Sequence, residues 1–395
     1  MNNNIRKVFL SIVFSFLVVM YMFFLSIPIL HLISLISTKT ISKEELCNKY
    51  TWARRISLIL GITYGLGIMV IPKLRRCALY SASIMIFTLN MIPFLLIIDC
   101  IGLILIQFYS LPSSFFISFI TANYLPNYYR VSMFLFVIIG SLLVDAYSLW
   151  KGHRLEYRRF TFHSSKISKE FSFVHISDIH IGSRFLSHSQ EIVNKIIPLH
   201  PNFVVITGDL TDSPNIQIEE LMPFKSLTSQ CPVYLSTGNH DYITGIEYLK
   251  PMLTTCGIIL LENTLVIEEE LQCSIIGTND AQSEKKYINE MNKVSNEVNA
   301  NTFNIILQHR PHGYQQTCEK GIYDLMLSGH THVGQFAPFN ILVYLFFKKA
   351  YGLYTIKSKD NKQQMYLYTH PGTGAWGPHM RSAGTNDITI FHIKP

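Results

Sequence analysis

FSFVHISDIHIG, residues 171–182, joins a short apolar run to two side chains that bind metals well. The run 171–176 predicts a strand, and Asp178 and His180 follow it with a single residue between them. Working outward, the same arrangement recurs. A strand at 203–207 runs into Gly208-Asp209, and one at 232–236 into Gly238-Asn239-His240-Asp241. A strand at 303–308 delivers His309, and one at 323–327 ends in Gly329-His330-Thr331-His332. A further strand is expected at 273–277, with helices at 188–199, 215–229, 244–256, 281–298 and 313–319. Alternating strands and helices define an α/β domain, and open α/β sheets place their ligand sites at the carboxyl ends of strands.

Each element alone says little. Gly-Asp is a common turn, and Asp-x-His arises by chance in a chain with 15 histidines. All five together, in order and each at a strand end, carry the argument. One intervening residue lets two side chains turn towards one point, and the neighbouring glycine permits the tight turn this needs.

Composition sets the frame. The 395 residues are 49% hydrophobic and only 15% charged, with mean hydropathy +0.25. Soluble domains carry ~25% charge, so a disordered regulator, a collagen-like fibre and a simple soluble enzyme are excluded. Residues 1–150 hold 11 basic and 4 acidic side chains, while residues 151–395 hold 22 of each. The net charge of +7 therefore belongs entirely to the first part. From Glu170 onward acidic residues outnumber basic ones, which argues against nucleic acid as a partner. The seven cysteines are scattered without a C-x-x-C pair, which speaks against a disulfide framework or a thiolate zinc site.

Long apolar stretches, uncharged but for Arg55, Asp99 and Asp145, predict about four membrane-spanning helices, at 8–32, 55–72, 80–108 and 131–150. The first is long and lacks a cleavage site, so it reads as an uncleaved helix. With the amino terminus inside, nine basic residues flank the inner ends and six the outer, which favours a cytoplasmic catalytic domain. A fifth span within the uncharged stretch 100–129 would reverse that orientation. Asp99 falls within the third span. A carboxyl group there is costly and hence a functional candidate, but with no second central charge it reads better as a group that fixes helix packing. The basic stretch 151–169 reads as a juxtamembrane linker, and 170–395 as the catalytic domain.

The flanking words VHISDIHIG, VVITGDLTD, STGNHDY, LQHRP, LSGHTHVGQ and PGTGAWGPHMR resemble the membrane-associated branch of the calcineurin-like metallophosphoesterase superfamily, over roughly 170–395. The resemblance implies a four-layer αββα sandwich that holds two divalent ions. Asp178, His180, Asp209 and His332 would bind the first, and Asp209, Asn239, His309 and His330 the second. Such ligands suit manganese, iron or zinc. Two ions ~3.5–4 Å apart favour in-line attack on phosphorus by a bridging hydroxide. His240 would act as proton donor or charge stabiliser, with Asp241 orienting its ring. Val333 departs from the pattern, which usually has glycine there.

These expectations describe an integral, multi-pass membrane enzyme that hydrolyses a phosphodiester or pyrophosphate. The bilayer and a phosphorylated or lipid-linked small molecule are its partners, with no obligate protein partner. Cleavage of UDP-2,3-diacylglucosamine is the nearest named activity that the resemblance implies. A tethered general or nucleotide phosphodiesterase is one alternative, and a non-catalytic receptor or scaffold another. The stretch FAPFNILVYLFF, 336–347, followed by Lys348-Lys349, begins four residues after His332. It is expected to form either an apolar lip on the site or a core element.

Overall fold

The computed structural model describes residues 127–182, 186–337 and 339–395, together with Arg55. The expected spans 8–32 and 80–108, Asp99, and all of 55–72 except Arg55 lie outside these residues. The chain divides into two compact units, 1–148 and 149–395.

Helix α1, Asn127–His153, contains the fourth expected span. Its segment Phe134–His153 is long and apolar enough to cross a membrane. Leu135, Phe136, Ile139, Leu142 and Leu143 are exposed. The hydroxyls of Ser141 and Ser148 donate to the carbonyls of Val137 and Val144, each at 2.7 Å. The helix thus satisfies these polar groups internally, as a helix in lipid must.

The second unit is built on two six-stranded sheets. In the first, β1 (Leu155–His163) lies beside the carboxyl-terminal strand β12 (Asn386–Lys394). Then follow β2 (Phe171–Ile176), β3 (Phe203–Thr207), β4 (Val233–Ser236) and β5 (Ile258–Leu261). β2 through β5 run parallel, whereas β12 is antiparallel to β2. The second sheet holds β6 (Thr264–Glu268), β7 (Cys273–Gly277), β8 (Phe303–Leu307), β9 (Leu325–Ser328), β10 (Gly352–Lys357) and β11 (Gln364–Thr369). Its spatial order is β10-β11-β9-β8-β7-β6, parallel from β11 to β7 with antiparallel edges.

Parallel strands are covered on both faces, so their sequences are almost continuously apolar, and three cores result. Between the sheets, Phe173, Phe203 and Phe391 interleave with Ile275, Phe303, Leu307 and Tyr368. Phe173 stacks on Phe203 and on Phe391 with ring centroids 5.0 Å apart in both pairs. Such pairs contribute ~0.5–1.5 kcal/mol beyond their burial. Helices including Leu186–Ile196 and Ile246–Thr255 cover the outer face of the first sheet through Ile192, Leu249 and Leu253. Helices Glu284–Ser295 and Tyr314–Glu319 cover the second through Tyr287, Met291 and Cys318. The layers run helix, sheet, sheet, helix, as expected. Cys231, Cys256, Cys273 and Cys318 are free and buried.

One boundary needs correction. The stretch 151–169 is not a linker, since residues 155–163 form β1, paired along its whole length with β12. The catalytic unit accordingly begins before residue 170.

Candidate metal centre

β2, β3 and β4 of one sheet and β8 and β9 of the other deliver their following residues to one place. Asp178, His180 and His332 bring ligand atoms within 4.8 Å of one another, as do Asp209, His309 and His330. His180, Asp209 and His240 form a third such group that joins the other two. The expected bridging residue, Asp209, is thus shared between neighbouring groups.

The backbone that achieves this is strained. Asp178, His180, Asp209, His330 and His332 all have positive φ, between 48° and 72°. That conformation costs an L-residue ~1–2 kcal/mol, and such strain gathers at functional sites. Val333 shares it at φ 55°, so the departure from glycine is accommodated in the left-handed region rather than avoided. Two glycines let the loops close. A Cβ on Gly238 would strike the Asp209 carboxylate, and one on Gly329 the Ser177 hydroxyl and Asp178 carboxylate.

The imidazoles are aimed by their outer nitrogens. His309 donates from Nδ1 to the Thr207 carbonyl at 2.8 Å, which leaves Nε2 facing inward. His180 Nδ1 lies 3.5 Å from Asp212 Oδ2, the carboxylate–histidine arrangement that commonly orients metal-binding rings. The inward nitrogens converge: Nε2 of His180 is 3.0 Å from Nε2 of His332, and Nε2 of His309 is 3.2 Å from Nδ1 of His330. At that distance each pair either shares one proton in an N–H···N bond or turns both lone pairs towards an ion. Buried carboxylates complete a donor set of the kind that mid-series divalent metals prefer, so the residues fit such ions.

Electrostatics point the same way. Burial disfavours the charged form of His309, but the Asp209 carboxylate overrides it and pushes the ring up to about 10. Asp209, though buried, is held well below the usual carboxylate range by His309. His180 is raised despite burial, through Asp212 and Asp209. His330 and His332 are pushed well down by burial and then by their cationic neighbours. Protons on His309 and His180 thus supply the positive charge that these carboxylates demand, and a divalent ion would compete with them.

Burial brings His240 down to about 4, partly opposed by Asp209, so its ring is neutral at pH 7. Its backbone N–H donates to Asp209 Oδ1 at 2.8 Å. Asp241 does something other than expected. Its Oδ2 accepts from the N–H groups of Gly238 and Asp209, and its Oδ1 from the N–H and hydroxyl of Thr211. Four donors fill the roughly four acceptor positions of a carboxylate. Asp241 therefore braces two ligand loops and is not the group that orients the His240 ring.

Two arginines and two acids escaped the sequence reading. Arg310 follows His309 and is fixed by Asp280 at 2.8 Å. It donates to Asn239 Oδ1 at 3.0 Å and lies 3.0 Å from His330 Nε2. Asn239 thus meets the rest of the cluster through Arg310. Asp280 stands beyond the end of β7 and Asp212 beyond β3, each one strand-end signal further than the motif extends. Arg381 is fully buried and donates to the carbonyls of His332 (3.0 Å), Pro371 (2.8 Å) and Gly374 (2.7 Å) and to Asn386 Oδ1 (2.5 Å). Burial brings it down to about 10, so it stays charged at neutral pH. Removing it leaves the Pro371 and Gly374 carbonyls and Asn386 Oδ1 without a donor, each costing ~1–3 kcal/mol, while the His332 carbonyl keeps the Gln335 N–H. Arg381→Met should lower stability by more than about 3 kcal/mol, read as a fall in the thermal midpoint of the purified chain. An unchanged midpoint would show that the 371–386 loop is held elsewhere.

Strained loops, paired sheets and convergent Asp and His residues place a candidate divalent-metal centre on an α/β sandwich. Residues 171–334 match the family described as calcineurin-like phosphoesterase, and the match supports a hydrolase acting on phosphoester bonds. It is 28% identical over 273 residues to an uncharacterized metallophosphoesterase of Helicobacter pylori, covering 67% of this chain and 72% of that one. It is 33% identical over 233 residues to a Danio rerio protein named transmembrane protein with metallophosphoesterase domain. That match covers 55% of this chain and 52%, about half, of the relative. An uncharacterized metallophosphoesterase of Aquifex aeolicus is 27% identical over 272 residues, 66% of this chain and 98% of its own.

Proposed function

We propose that the chain is a membrane-anchored phosphoesterase that uses two divalent ions to hydrolyse a lipid-linked phosphodiester or pyrophosphate. The observation that carries the reading is the meeting of donors from five strand ends around one shared carboxylate, Asp209. Asp178, His180, Asp209 and His332 would hold one ion, and Asp209, Asn239, His309 and His330 the other. Such ions supply Lewis acidity and a water of lowered pKa.

The chain's own groups do the rest. Arg310, fixed by Asp280, presents a guanidinium beside Asn239 and His330, where it can meet a phosphoryl oxygen. His240, neutral when the site is free, gains affinity for a proton as an anionic phosphate arrives, which suits it to protonate the leaving oxygen. Membrane attachment is supported by the apolar segment Phe134–His153, and by relatives from Danio rerio and Bos taurus named as transmembrane proteins. The further spans and a cytoplasmic catalytic face belong to the same proposal.

The test is a metal analysis of the purified chain with a product-release screen. Soluble phosphodiesters and lipid phosphoesters are offered with manganese, iron and zinc in turn. About two ions per chain and metal-dependent hydrolysis are expected. A chain that binds no metal and cleaves nothing would instead be a scaffold on a phosphoesterase fold.

A further inference from the structure

Helix α9, Phe339–Phe346, reads FNILVYLF and contains no charged residue. An eight-residue helix of this composition belongs in a core, yet Leu345 is 72% exposed and Phe346 81% exposed. It does not stand far from the chemistry. The next residue, Phe347, sets its ring edge-on to His330, with centroids 5.6 Å apart. Across the centre, Trp376 is 59% exposed with its ring 6.1 Å from that of His240. Ile243, three residues beyond His240, is exposed as well. Large apolar side chains thus stand in water on both sides of the metal centre. Apolar surface gathered around a site marks a contact surface, because water is a costly neighbour for it.

The surroundings say what covers it. Lys348 and Lys349 come just after Phe347, and Lys348 is exposed, so the apolar face ends in positive charge. The loop that carries Trp376 also receives the end of the apolar helix α1. Asn386 Nδ2 donates to the Gly152 carbonyl at 2.6 Å, and a Cβ on Gly152 would strike the backbone of His379. His153 and His379 face each other with ring centroids 5.7 Å apart. His379 is three residues from Trp376. Gly152 and His153 therefore pack on the loop that carries Trp376.

We infer that α9 and Trp376 form a docking surface for an anionic lipid bilayer, which they enter at headgroup depth so that a phosphoester is presented to the centre from the membrane. This rests on the proposed phosphoesterase reading of the centre and adds where its substrate comes from. Apolar side chains beside lysines are the composition of interfacial membrane contacts. Phe347 touches His330 and belongs to the site; Leu345 and Phe346 belong to the docking surface alone.

Trp376 is a built-in reporter. The full-length chain with Trp52→Phe and Trp150→Phe retains it as the sole tryptophan. This protein is placed in nanodiscs of phosphatidylglycerol brominated near the headgroup end of its acyl chains. Trp376 fluorescence is expected to fall by at least about twofold relative to unbrominated discs, since insertion at the interface brings the ring to the bromine. Leu345→Ser with Phe346→Ser should abolish most of that quenching while bis(p-nitrophenyl) phosphate is cleaved at the parental rate. Lys348→Glu, a milder change, should weaken quenching in phosphatidylglycerol but not in phosphatidylcholine. Quenching that is absent, or that survives the double substitution, overturns the inference. So does a double variant that turns a dimer into a monomer with quenching unchanged, since the face would then be a contact between copies. If quenching behaves as expected but no variant cleaves any phosphoester, the docking surface stands and the catalytic reading falls.

Discussion

On the proposed two-metal reading, Asp209→Asn is expected to abolish phosphoester hydrolysis and to empty the centre of both metals. Asp209 is the carboxylate that touches both ligand groups, with His180 and His240 on one side and His309 and His330 on the other. Asparagine keeps its shape but has one acceptor oxygen and no charge. The proton held by His309 loses its partner at the same time, because Asp209 is what raises that ring. Partners one layer outside a metal are worth ~10–100-fold in affinity, so a ligand shared by two ions should exceed ~10²-fold. Metal content by elemental analysis and turnover of a soluble phosphodiester should fall together. Retention of one ion per chain would show that the two halves of the site bind independently.

His240→Ala should separate chemistry from metal binding. The ring lies close enough to His180 and Asp209 to count as a ligand by distance alone, so only the variant decides. If His240 gives a proton to the leaving oxygen, kcat falls by ~10²–10⁴-fold while metal content and the thermal midpoint hold. The loss should shrink with a nitrophenolate leaving group, which departs without protonation. A variant that loses metal as Asp209→Asn does would make His240 a ligand and leave the acid to be found elsewhere.

The ligands were legible because the signal is local. Each sits within four residues of a strand end, and strands buried on both faces announce themselves by unbroken apolar runs such as FVVIT at 203–207. β1 was illegible for the opposite reason. LEYRRFTFH alternates buried with exposed residues at a sheet edge, so its arginines look like a linker, and its partner β12 lies more than two hundred residues away. β10, an edge of the second sheet, and β11 beside it were missed as well. Asp241 misled because adjacency to His240 suggested a shared task, whereas the carboxylate turns back to backbone N–H groups that no sequence pattern displays. Arg381 closes the word PGTGAWGPHMR, but its role stayed hidden because three of its acceptors are backbone carbonyls, which every residue has.

The join between α1 and β1 bears on how far this enzyme can search. The helix ends at His153 and the strand begins at Leu155. A flexible tether over 151–169 would have allowed a root-mean-square excursion of roughly 25 Å. Arg154 alone separates helix from strand, and one residue spans ~3.5 Å at most. On the proposed membrane reading, turnover should follow the mole fraction of substrate in the bilayer rather than its bulk concentration. Diluting the membrane with inert lipid would slow the reaction, and adding water would not.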